Sequence, residues 1–133
     1  MNSSLRVLAG ACLSAVLCLS ASAASAAQLK IYFSREMKDL TAEGAQVVTA
    51  VVEQSVAANA TEIVIVGHTD TAEHKAMALS LARAKAVRAE LLRQKLPKTI
   101  KITISGVGAT QPDFPIPPKT SEPLDRVVSV TFN

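Results

Sequence analysis

Leu29, Ile31 and Phe33 alternate with Lys30 and Tyr32, and a period of two predicts a short strand with one apolar face over residues 29–33. Downstream the period changes. Thr41 can cap a helix with Glu43 in its first turn, and Ala45, Val48, Val52 and Val56 recur at spacings of three and four to near Asn59. Glu62-Ile63-Val64-Ile65-Val66-Gly67 is an unbroken β-branched run, the pattern of a central strand covered on both faces or nearly so. A second helix is predicted from about Lys75 to Lys95, with Ser80, Ala84, Val87 and Leu91 inward and Lys85, Arg88 and Arg93 outward. Ile100, Ile102 and Ile104 alternate with Lys101, Thr103 and Ser105 in a third strand, and Val128, Val130 and Phe132 share one side of a fourth over residues 126–132. Between these two strands, residues 111–123 hold five of the six prolines and are predicted to form a loop.

The order β-α-β-α-β-β predicts an α+β, two-layer sandwich: a mixed four-stranded sheet with both helices packed on one face. No internal repeat or linker divides it.

Composition then removes part of the chain from this domain. Residues 1–26 have one cation, Arg6, no acid, an apolar stretch from Val7 to Leu19 and a small-residue tail, the layout of a secretory signal peptide. Cleavage after Ala26 is the favoured site, leaving a domain of residues 27–133. Val7 to Leu19 is short for a bilayer span, and no membrane-length apolar run follows. Both cysteines, Cys12 and Cys18, lie in this leader, so disulfides, thiol catalysis and cysteine-based zinc sites are excluded from the domain. Without Arg6, 13 Lys and Arg face 11 acidic residues, a net charge of +2 that implies neither nucleic acid nor a polybasic membrane contact.

Candidate chemistry falls where the second strand meets the second helix, because loop side chains converge there beside unpaired helix amides. Asp70 follows the strand and Arg83 lies in the helix, so the pair can hold the ammonium and carboxylate ends of a zwitterion. The alternatives are a salt bridge between them or two solvated charges. His68, Asp70, Glu73 and His74 also offer metal-ligand chemistry, but their spacing matches no helix-based zinc motif, and neither a metal nor any cofactor is expected. The chain has no G-x-S-x-G and no paired carboxylates with an evident cleft, and it is not expected to be an enzyme.

Gly67-His68-Thr69-Asp70 followed by Leu79-Ser80-Leu81-Ala82-Arg83-Ala84-Lys85-Ala86-Val87 resembles the OmpA-like (OmpA/MotB) peptidoglycan-associating domain, whose pattern is G-H-T-D, then L-S-x-x-R-A-x-x-V. Ile31-Tyr32-Phe33 with Leu40-Thr41, Gly106-Val107-Gly108 before Pro112, and Asp125-Arg126-Val127-Val128 extend the resemblance along residues 27–133. The resemblance implies a periplasmic, non-catalytic domain that binds the diaminopimelate of the peptidoglycan stem peptide, in association with the outer membrane or cell wall. It implies that Asp70 and Arg83 grip the ligand, that Thr69 lines the same pocket, and that Arg126 matches the first arginine of the terminal motif. On that basis Asp70→Ala and Arg83→Ala should abolish binding and leave the fold intact.

Two departures stand out. The loop from Asp70 to Leu79 is about two residues shorter than the family pattern, with Ala76 near the place of its Asn, and Val127 replaces the second arginine of the terminal motif. They motivate a second reading: an envelope protein-interaction module that has lost or altered peptidoglycan binding, with Phe114, Ile116 and the neighbouring prolines as a surface for another envelope protein.

Overall fold

The computed structural model describes residues 27–112 and 117–133. The leader at residues 1–26 and the proposed docking residues Phe114 and Ile116 lie outside the described residues. Four strands form one mixed sheet: β1 (Ala27–Tyr32), β2 (Glu62–Gly67), β3 (Lys101–Gly106) and β4 (Val127–Phe132), in the order β1-β4-β2-β3. β4 runs antiparallel to both neighbours, Ile31 opposite Val128 on one side and Ile65 opposite Val130 on the other, while β2 and β3 are parallel. Helices α1 (Ala42–Ala57) and α2 (Ala76–Arg93) connect the strands. Ile31, Val48, Val51, Ile63, Ile65, Ala84, Val87, Leu91, Val128 and Val130 form the fully buried centre of a core shared by sheet and helices. This is the α+β arrangement that the element order predicts.

The start of α1 has a local cause. Thr41 holds an extended backbone conformation, and its Oγ1 accepts a hydrogen bond from the Gly44 amide at 3.1 Å, satisfying one of the orphan donors of the first turn. The helix ends before Asn59, which takes a left-handed conformation (φ 51°) suited to that residue type.

Two expectations need correction. The buried face of α1 runs through Gly44, Val48, Val51 and Ser55, so Val56 is exposed and Val52 only partly covered. A run of consecutive valines satisfies more than one helical phase, and packing against the sheet selects one of them. In β2, Ile63, Ile65 and Gly67 are buried whereas Val64 and Val66 are half-buried, because both helices cover the same sheet face. An interior position in the sheet therefore removes β2 from the edge without covering it twice.

A short 3-10 turn, Pro123–Asp125, precedes β4. Its N-cap Glu122 accepts a bond from the Leu124 amide at 3.1 Å. The described part of the proline-rich connection thereby enters β4 with Arg126 beside the end of β1, where the Phe33 amide donates to the Arg126 carbonyl at 2.8 Å.

Candidate functional site

Gly67 and Gly106 decide how α2 meets the sheet. A Cβ at Gly67 would stand 1.9 Å from the Ser80 carbonyl oxygen, and one at Gly106 would stand 2.4 Å from the Leu81 nitrogen. Only glycine lets the helix backbone settle onto the ends of β2 and β3. Ser80 fixes the approach, its Oγ accepting from the Gly108 amide at 2.9 Å. Arg83, three residues on, then lies beneath the loops that end β1 and β2, with no solvent-accessible surface.

All five guanidinium N–H groups of Arg83 have acceptors. Nε donates to the Met37 carbonyl at 2.8 Å, Nη1 to the His68 carbonyl at 3.1 Å and to Glu73 Oε2 at 2.8 Å, and Nη2 to the Ser34 carbonyl at 3.1 Å and to Glu73 Oε1. Phe33 lies against the cation, its ring centroid 5.3 Å from Arg83 Cζ. The Glu73 carboxylate, also sealed from solvent, takes two further donors, the Glu36 amide at 2.8 Å and the Asp70 amide at 3.2 Å. A planar fork and two converging backbone N–H groups thus make a seat shaped for one carboxylate. Glu73 sits in it.

Asp70 has a different partner. Its Oδ1 accepts from the Ala72 amide at 2.9 Å, and its Oδ2 from the Glu122 amide and from Arg126 Nη1, each at 3.1 Å. Arg126 also reaches Ser121 Oγ and the Phe33 carbonyl. Asp70 and Arg83 therefore neither bridge each other nor stand as solvated charges: each is neutralised by another residue, Arg126 and Glu73 respectively. Arg83 makes five internal bonds in a dry site, so it is not a position where alanine leaves the fold intact. Thr69 is buried, its amide donates to the Gly108 carbonyl at 3.0 Å, and its hydroxyl meets no hydrogen-bond partner among the described residues.

The His68, Asp70, Glu73 and His74 group does not assemble. The His68 ring faces Ser129 Oγ and the Gln111 carbonyl, Glu73 faces Arg83, and His74 faces Glu36. No group of three or more His, Cys, Asp or Glu among the described residues is placed to hold a metal ion. Glu36 accepts from both the amide and Nδ1 of His74 at 2.9 Å, and these contacts, the backbone N–H first, hold its carboxyl below the usual range. Glu36 and Lys75 both adopt left-handed backbone (φ 56° and 49°), so strained residues flank the contact between the β1–α1 and β2–α2 loops.

Glu73 as the partner of Arg83 is the feature that spacing alone missed. One signal was available: Arg83 is three residues from Ser80 and adjacent to Ala84, within the inward stripe of α2. A buried arginine requires a buried acceptor, and the shortened loop supplies Glu73.

The OmpA family model matches residues 32–126. An outer membrane protein of Gluconacetobacter diazotrophicus is 34% identical over 111 residues, covering 77% of this chain and 29% of its own length, so the chain spans less than a third of that relative. Among solved structures, the OmpA-like domain of FopA1 from Francisella tularensis superimposes with a TM-score of 0.69 at 22% identity, over 78% of this chain and 70% of that one. The peptidoglycan-associated lipoprotein of Burkholderia pseudomallei gives 0.68 at 18% identity, over 78% of this chain and 89% of that one.

Proposed function

The chain belongs to the OmpA family, and from that membership we propose that it is a non-catalytic domain of the cell envelope that associates with peptidoglycan. The ligand is the diaminopimelate of the stem peptide, whose ammonium and carboxylate are taken by Asp70 and Arg83 respectively. Thr69 lines the same place, and Arg126 orients Asp70. The location is periplasmic, at the outer membrane or cell wall, after removal of the leader at residues 1–26.

One observation carries this reading: at the loop end of the sheet, the Arg83 fork and two backbone N–H groups already hold a carboxylate. That is the recognition chemistry a carboxylate-bearing cell-wall peptide needs. Sedimentation with purified sacculi tests it. The protein should pellet with them and be released by free diaminopimelate, and Arg126→Ala should weaken pelleting. Failure to pellet both by the parent protein and by its Glu73→Ala variant overturns the proposal.

A specific observation favours the second reading, an envelope protein-interaction module with altered peptidoglycan binding. Every N–H of Arg83 is satisfied from within the chain, and Glu73 fills the seat. A domain that fails to pellet yet captures one envelope protein reproducibly would support that role instead.

A further inference from the structure

We propose that Glu73 is a built-in occupant of a carboxylate seat, and that the loop carrying it must leave Arg83 before any external carboxylate can bind. The ligand class is a monocarboxylate end group on a small molecule or peptide. The inference rests on reading Arg83 as a ligand residue and adds the control of its access.

The seat's donors come from three parts of the chain: the fork of Arg83 on α2, the Asp70 amide after β2 and the Glu36 amide after β1. Its occupant comes from the connection between β2 and α2. That connection is held over the seat by a reciprocal bracket, in which the Glu36 amide donates to Glu73 while the His74 amide and ring contact the Glu36 carboxylate. The outer half of the bracket is wet, the His74 side chain being 85% exposed, whereas the Glu73 and Arg83 side chains are dry. Lys75, left-handed and without a side-chain cap on α2, is the joint where the connection enters the helix. A strained joint and a solvent-exposed clasp favour opening at this loop over the core beneath it.

The substitution Glu73→Ala removes the atoms of one acetate ion, Cγ and the carboxyl group, while leaving the donors in place. Acetate is therefore the probe. The variant should melt below the parent protein and recover in a saturable way as acetate is added, with no recovery in chloride at matched ionic strength and no acetate response in the parent. If Glu73→Ala does not fold in buffer, acetate should fold it, as read by circular dichroism. A folded variant with no acetate response, a chain that stays unfolded in excess acetate, or an equal response in the parent overturns the proposal.

Pelleting with sacculi separates this inference from the function it deepens. Tenfold or stronger retention of Glu73→Ala over the parent supports both. Equal retention overturns the gating role and leaves peptidoglycan association standing. Acetate recovery with no pelleting by either protein keeps the occupied seat and overturns peptidoglycan association.

Discussion

Glu73 and Arg83 form a two-armed ion pair in which neither side chain reaches solvent, Nη1 to Oε2 measuring 2.8 Å. The pair sits at the loop end of the sheet, tying the connections after β1 and β2 to α2. Its energetic weight is asymmetric: removing both members orphans only the backbone groups they bond, whereas removing one alone also leaves an uncompensated charge in a dry site.

Arg83→Ala should therefore destabilise the fold by about 3–5 kcal/mol. The double variant Arg83→Met with Glu73→Leu should recover only part of that loss, because it leaves no orphan charge but strips partners from the Met37, His68 and Ser34 carbonyls and from the Glu36 and Asp70 amides. Urea denaturation of both proteins checks this, and a single variant costing under about 1 kcal/mol would show that the pair is weaker than its enclosure implies.

Gly67→Ala places a methyl group where the Ser80 carbonyl oxygen already stands. The contact is with backbone, so no rotamer change relieves it, and we expect a loss of about 3 kcal/mol together with displacement of α2. Thermal unfolding gives the magnitude. A Gly67→Ala protein with parental stability would mean that α2 can lift off β2 freely.

Asp70→Ala should loosen the segment leading into β4 more than the core. The carboxylate accepts bonds from the Ala72 and Glu122 amides as well as from Arg126. Bonds to a charged acceptor contribute about 1.5–3 kcal/mol, so hydrogen exchange at these two amides should rise by about tenfold to a hundredfold, while that of Ile65 and Val130 changes much less.

Acid should weaken the fold through carboxylates whose folded pKa lies below the ordinary value. Glu90 is lowered to about 2, first by Arg93 and then by Gln94, and Glu36 is lowered by His74. A depressed carboxyl stabilises fully above the unfolded value of 4.5 and loses that contribution as pH falls through the folded value. The midpoint of unfolding should accordingly drop from pH 4.5 towards pH 2, and Glu90→Gln should flatten part of the slope. An unchanged slope would remove Glu90 from the balance.

Much of the architecture was legible because strand and helix periods differ and change over cleanly. The isoleucines of β2 and β3, the cap at Thr41 and the inward stripe of α2 all lie where the pattern puts them. The phase of α1 was ambiguous because neighbouring valines satisfy two faces equally. The pairing of the charged residues was not legible in the same way. Asp70, Arg83 and Arg126 are gathered at one end of the sheet, but which carboxylate neutralises which guanidinium depends on loop length and backbone direction, which linear spacing does not encode. Linear spacing offers Glu73 only as a possible metal ligand, while its burial against Arg83 depends on how the loops after β1 and β2 close over α2.

The placement of β4 between β1 and β2 carries a temporal consequence. Until residues 127–132 are available, the first strand has no hydrogen-bonded neighbour, and β2 has only β3. β4 works as a keystone: a protein emerging N-terminus first holds the two parts of its sheet apart until this closing strand arrives, and removing β4 alone would leave β1 single and β2 with β3 as a two-stranded ribbon, with no ladder between them.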